Sequence, residues 1–173
     1  PHRVLPTFMA LYGAKVPPIG DYPRPSLLHA GQGLRVAREL PASGRGARRI
    51  TVTGMYDLGN AALVTCSTAL TSPEGSLWAT ATAEYYIRDA GGFGGDRAPR
   101  SEWALPDREP DAVVSCPTFA NQALVYRLCS DRNPIHSDPV VAQQAGFDRP
   151  ILHGLSTFGV AGRAVARALA DVG

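Results

Sequence analysis

From Leu77 to Arg88 the chain alternates with a period of two, and this run limits the fold more than any other. Leu77, Ala79, Ala81, Ala83, Tyr85 and Ile87 fall on one side of an extended chain. Trp78, Thr80, Thr82, Glu84, Tyr86 and Arg88 fall on the other. Such a pattern is a strand with one buried face. Ala62, Val64, Cys66 and Leu70 alternate likewise with Leu63, Thr65, Ser67 and Thr71. Between the two runs lies Ser72-Pro-Glu-Gly75, a turn in which proline presets φ and glycine supplies a positive one. The two runs therefore predict an antiparallel hairpin. Arg49 to Tyr56 is a third strand, joined through Asp57-Leu-Gly-Asn60, and Gly33 to Leu40 a fourth. Long antiparallel strands without βαβ spacing exclude a parallel doubly wound sheet.

Before this region, Pro6, Pro17, Pro18, Pro23 and Pro25 forbid a long regular helix. Leu5 to Leu11 is either a short helix or an extended lead-in. After it, residues 90–111 read as a linker, with Gly91-Gly-Phe-Gly-Gly95 followed by Pro99, Pro106 and Pro110. The glycine run lacks the Gly-x-Gly-x-x-Gly order, and no helical pattern follows, so it is not a dinucleotide loop. The chain then restarts with a short strand at Val113–Cys116 and a helix from Asn121 to Leu128. A long helix runs from Gly154 to about Ala170, with Leu155, Phe158, Val165 and Leu169 at helical spacing among small residues. The resulting modules are 1–95 and 113–173, joined by 96–112.

The net charge is +2, and Lys15 is the only lysine. The arginines are scattered, which indicates neither a nucleic-acid nor a membrane-binding patch. Cys66, Cys116 and Cys129 form no Cys-x-x-Cys pair and read as reduced thiols of a cytoplasmic protein. No apolar stretch is long enough to span a bilayer.

The chemistry concentrates between Asp131 and Gly154. Asp131, Asn133 and His136 are gathered around Pro134, which pushes Asn133 towards an extended shape. The segment is thus a bend that aims an acid, an amide and an imidazole at one small volume. Asp138, Pro139 and Gly146 mark the cap, first position and end of a short helix. The long helix starts at Gly154, where free amides and the positive end of the helix dipole meet a residue without a side chain. An acid, a base and a backbone anion hole together suit chemistry beside a carbonyl. A bland hydrogen-bonded His136–Asp131 pair is the competing reading, and the full spacing weighs against it. A zinc site from His136, Asp138 and His153 fits no standard ligand spacing. Gly154-Leu-Ser156-Thr-Phe158 lacks the final glycine and the preceding strand of a serine-hydrolase elbow.

The run Tyr126-Arg-Leu-Cys-Ser-Asp131-Arg-Asn133-Pro-Ile-His136-Ser-Asp138-Pro, with Gly146-Phe-Asp-Arg-Pro-Ile-Leu-His-Gly154, resembles the hydratase 2 motif. That motif belongs to the MaoC-like (R)-specific enoyl-CoA hydratases. Leu5-Pro-Thr-Phe8, Leu27-Leu-His-Ala-Gly-Gln32 and Gly91-Gly-Phe-Gly-Gly95 resemble the first half of the family's two-module members. The chain departs from the pattern twice: Ser130 stands where glycine is usual, and Ala30-Gly31 where Gly-Glu is common.

The resemblance implies an α+β double hot-dog, an antiparallel sheet wrapped around a central helix. It also implies strands after that helix, so that the polypeptide would continue past Gly173 and begin before Pro1. The first module would be degenerate and acyl-binding, the second catalytic. The implied reaction is reversible hydration of a trans-2-enoyl-CoA to a (3R)-3-hydroxyacyl-CoA, in fatty-acid or related acyl-CoA metabolism. Asp131 and His136 would manage the protons of water, Asn133 would position it, and the Gly154 N–H would bind the thioester oxygen. Arg132 and Arg149 are either contacts to the phosphates of coenzyme A or solvated surface residues, His153 either touches the substrate or packs at the helix start, and Tyr126 would contact the substrate. No metal or redox cofactor is implied, coenzyme A being part of the substrate, and the assembly would be a homodimer. The alternatives are a hydroxyacyl-CoA or acyl-carrier-protein dehydratase, a non-catalytic hot-dog partner subunit, and a thioesterase.

Overall fold

A computed structural model describes residues 4–13, 16–23, 26–100, 103–129 and 131–170. Four strands form one antiparallel sheet: β1 (Leu27–Val36), β2 (Ala47–Asp57), β3 (Ala61–Thr71) and β4 (Leu77–Arg88), in the order β1-β4-β3-β2. The alternation read from the sequence is the burial pattern. In β4, Ala79, Ala81, Ala83, Tyr85 and Ile87 are buried, and in β3 so are Val64, Cys66, Thr68 and Leu70. The turn at Ser72–Gly75 closes through Gly75 N–H to the Ser72 carbonyl, 3.0 Å.

Two features differ from the sequence reading. The fourth strand is Leu27–Val36, earlier than Gly33–Leu40. Its ladder ends where the Ala37 and Arg38 amides both donate to the Trp78 carbonyl. The glycines at 31 and 33, poor strand formers in isolation, hid it, although they lie beneath the Glu84 and Thr82 side chains. The strand expected at Val113–Cys116 is absent. This stretch is irregular and Val113 is 85% exposed, so it has neither a neighbour to pair with nor a face to bury.

The buried face of the sheet is covered in two ways. A 3-10 turn (Pro6–Met9) runs into α1 (Ala10–Gly13), and Met9 is buried against Leu70 and Ala79. Gly13 sits so close to the sheet that a Cβ there would run into the Ala81 methyl. Beyond it, Val16, Ile19 and Tyr22 pack on the Ala62, Val64, Cys66, Ala83, Tyr85 and Ile87 cluster without forming a helix. Pro17, Pro18 and Pro23 account for that irregularity; Pro25 lies outside the described residues.

The glycine-rich run after β4 is folded back rather than left open. The Asp57 carboxylate accepts from the amides of Gly59, Gly92 and Gly94 at 2.8, 2.9 and 2.7 Å. These bonds hold the Asp57 carboxyl below the usual carboxylate range. The amides that a phosphate would need are thus already engaged.

The remaining elements are α2 (Gln122–Tyr126), α3 (Pro139–Gln144) and α4 (Gly154–Ala170). The Asp138 carboxylate caps α3, accepting from Val140 at 2.8 Å, and Gly146 ends it at φ 84°. Asp138→Ala is expected to cost about 1 kcal/mol and lower the melting temperature by about 2–4 °C, measured by thermal unfolding. Arg88 ties the sheet to this segment, donating to the Ala145 carbonyl at 2.7 Å and lying over Phe147. α4 packs on the Pro6–Met9 turn and on β1.

Candidate active site

Asn133 organises the bend around Pro134. It is extended, with ψ 123°, and its side-chain oxygen accepts from the Ile135 amide, capping a 3-10 turn over Pro134–His136. Ile135 is 5% exposed and pins the turn to the interior. The Asp131 carboxylate accepts from the Asn133 amide at 3.0 Å, so Asp131 and Asn133 fix each other's position. Ser130, where the resemblance expects glycine, lies outside the described residues.

His136 follows from this turn. Its Nδ1 lies 2.8 Å from the Ile151 carbonyl, which can only accept, so Nδ1 carries the proton. The Nε2 lone pair then faces the Asp131 Oδ2, 3.9 Å away. That gap is too long for a hydrogen bond. The Asp131 side chain is half exposed and the His136 side chain nearly buried.

His153 lies beneath His136. The two rings stack with centroids 3.7 Å apart and an interplanar angle of 25°. His153 is 1% exposed, and its Nε2 donates to the Asp131 carbonyl at 3.1 Å. Its ring therefore touches the acid–imidazole pair from behind rather than the open cleft. Tyr126 leans on the other side of His153, centroids 4.7 Å apart. Burial, with Cys129 and Asp131 nearby, pushes the Tyr126 phenol up to about 12, so it stays protonated. Gly154 opens α4, and the His153 carbonyl accepts from Ser156 and Thr157. The Gly154 N–H has no acceptor among the described residues. Arg132 lines the cleft; Arg149 is exposed.

Asp131, Asn133, Arg132, Pro134 and Ile135 form one wall of a cleft of about 870 Å³. Val141 and, from the first half, Val16, Pro17, Pro18, Tyr22 and Leu27 line the rest. A second cleft, about 620 Å³, lies between the Phe8–Tyr12 region and residues 40–48, and no acid–imidazole pair lines it.

Among the described residues, only Asp131, His136 and His153 could converge on a metal ion. Asp138 is not with them, being engaged as a cap. The stacked rings direct their in-plane lone pairs side by side rather than at one point 2.0–2.1 Å from both, the zinc–imidazole distance.

Sequence reasoning missed one residue here. A Cβ on Gly154 would lie 3.8 Å from Nδ1 of His29, which belongs to β1 in the first half. The run Leu27-Leu-His-Ala-Gly-Gln32 was the available signal, but nothing in it assigns chemistry to the histidine.

Burial is the main cause that lowers both His29 and His153 from the ordinary imidazole value of 6.5. The unfolded chain takes up these protons first as the pH falls. Stability is therefore fully present above 6.5 and is lost on acidification towards the folded values. The melting temperature should fall between about pH 7 and pH 5, and His153→Phe should flatten that slope. An unchanged slope would remove His153 from this account.

The arrangement defines a class: an antiparallel sheet and a helix of hot-dog type, with an acid and an imidazole gathered near the start of the helix. The crystal structure of a MaoC-like dehydratase from Phytophthora capsici superposes with a TM-score of 0.77 at 32% identity, covering 89% of this chain and 53% of that one. An enoyl-CoA hydratase of Mycobacterium tuberculosis is 44% identical over 178 residues, covering 98% of this chain and 62% of that protein. The peroxisomal enoyl-CoA hydratase 2 of Arabidopsis thaliana is 35% identical over 183 residues, covering 95% and 59%. The MaoC like domain profile matches residues 102–173, and that part of the chain is a MaoC-like domain. The chain spans about three fifths of the length of these curated relatives.

Proposed function

We propose that the protein catalyses reversible hydration of trans-2-enoyl-CoA to (3R)-3-hydroxyacyl-CoA. One observation carries the reading: Asp131, on the wall of the cleft, has its Oδ2 3.9 Å from the His136 Nε2. Two groups at that separation can both hydrogen-bond one water oxygen. Hydration adds that oxygen to C3 and a proton to C2. The Asp131–His136 pair withdraws a proton from water and returns one to C2, and in dehydration the same steps run backwards. The Asn133 side-chain nitrogen is left to hold the water, since its oxygen is spent on Ile135 and its backbone amide on Asp131. The Gly154 N–H serves the thioester oxygen, where negative charge gathers as the C3–O bond forms. His153 and Tyr126 support the pair from behind; Arg132, on the cleft wall, and the exposed Arg149 would meet the phosphates of coenzyme A.

The same reading takes the chain as two modules, 1–95 and 113–173, with the first housing the acyl chain. The proline-interrupted segment that replaces a helix leaves the apolar wall of Val16, Pro17, Pro18, Tyr22 and Leu27 open to the cleft. We extend it to a homodimer in cytoplasmic fatty-acid or related acyl-CoA metabolism, working without a metal or redox cofactor. Among the described residues no helix is long and apolar enough to cross a membrane.

The test is incubation with crotonyl-CoA and with a long-chain enoyl-CoA, following enoyl absorbance and free thiol together. Loss of absorbance without thiol release is expected; thiol release would indicate a thioesterase, and no change a non-catalytic partner. Leu27→Trp, which fills the apolar end, should lower kcat/KM for the long substrate at least about tenfold more than for crotonyl-CoA. Each buried methylene it displaces is worth about 0.8 kcal/mol. Equal losses on both substrates would refute the acyl-chain assignment.

A further inference from the structure

His29 sits on β1 beside the bulge at Ala30, where the register with β4 shifts between His29 and Gly31. A bulge re-aims a side chain that regular pairing would hold flat against the sheet. The ring stacks on Tyr85, its cross-strand partner, with centroids 5.7 Å apart at 29°. Nε2 is buried and has no hydrogen-bond partner, whereas Nδ1 stands 3.8 Å from the position of a Cβ on Gly154. A neutral imidazole has one N–H and one lone pair. A buried lone pair without a partner is tolerated better than a buried N–H without one. A proton on Nδ1 would sit on the nitrogen that faces Gly154 and leave the lone pair on Nε2. Burial lowers the ring from its ordinary value, opposed in turn by the Gly31 backbone, the Gln32 side chain and the charge of Asp131.

We propose that His29 is a substrate-positioning residue whose Nδ1–H joins the Gly154 N–H in holding the thioester carbonyl oxygen. This inference rests on the hydration reading and extends it. The acid–imidazole pair comes from residues 131–136 and half of the carbonyl clamp from β1, so the second half alone has an incomplete site. The enolate-like oxygen of the transition state takes two hydrogen bonds rather than one, from donors on a helix start and a strand that are packed against each other.

Two variants separate this role from simple packing. His29→Phe keeps a ring for Tyr85 and removes both nitrogens. His29→Asn loses the ring but places an amide N–H near the position of Nδ1. The readouts are kcat and KM on an enoyl-CoA, and the infrared stretch of an isotope-labelled thioester carbonyl in the bound substrate. His29→Phe should lose about a hundredfold in kcat with little change in KM, and the carbonyl band should move back towards its solution position. His29→Asn should keep kcat within about tenfold of the parent and most of the band shift. Near-normal kcat for His29→Phe overturns the proposal, as does equal loss in both variants with the band unmoved, the result of a structural role. His29→Leu replaces His29→Phe if circular dichroism shows the latter misfolded. If the parent protein binds the thioester but hydrates nothing, the reaction assignment fails and the band alone decides the role of His29. If the parent binds no thioester, both readings fall.

Discussion

Asp131→Asn is expected to lower kcat on an enoyl-CoA by on the order of a hundredfold or more, because positioned acid–base groups contribute about 10²–10⁴. The substitution keeps the side-chain shape, and the amide oxygen can still accept from the Asn133 amide. What it removes is the charge and the proton-accepting power facing His136. His136→Ala should do similar damage by a different route, since it also frees the Ile151 carbonyl and opens space above His153. The double variant should be little worse than the worse single, because residues that act as one unit are not additive. Substrate affinity should change far less, as most contacts are to coenzyme A and the acyl chain. The measurement is kcat for each variant, with circular dichroism as control. Near-normal kcat in well-folded Asp131→Asn would remove Asp131 from the proton chemistry and with it the hydratase assignment.

The largest expected loss of stability is at Met9. This side chain is 1% exposed and packed against Leu70 and Ala79 in the smaller core cluster. Met9→Ala should cost about 2–5 kcal/mol, the transfer cost plus that of a cavity. The polypeptide around it is stiffened by Pro6, and the Gly13–Ala81 contact leaves no freedom for α1 to sink inward. The site is therefore placed at the upper part of that range. The melting temperature should fall by on the order of 10 °C. A change of less than about 1 kcal/mol would mean that the Pro6–Met9 turn is not part of the core.

The strands were legible because their burial is one-sided and repeats every second residue, as Ala79 to Ile87 illustrate. β1 was misplaced because its signal is carried by pairing rather than by side chains: Gly31 and Gly33 bury no side chain of their own. Val113–Cys116 has strand-forming residues, but a strand also needs a neighbour, and local propensity contains no information about that. In the site, the Asp131–His136 bend was readable because proline, caps and spacing are local. The stacking of His153 under His136 and the approach of His29 to Gly154 were not, since both depend on which elements meet. His153, taken from the sequence as a substrate contact, is 1% exposed and turned towards Asp131 and His136.

The distance in sequence between His29 and Gly154 has a consequence for the order of folding. β3 and β4 are joined by a tight turn and close with little loss of chain entropy, whereas bringing α4 onto β1 closes most of the polypeptide into one loop. The Asp131–His136 bend is nearly complete within itself, held by contacts among residues 131–136 and to Ile151. Proton-handling groups can therefore be in place before the oxygen-holding groups are. A partial opening that lifts α4 from β1 would separate His29 from Gly154 while the sheet stays closed, so the proposed carbonyl clamp would be lost before the fold is.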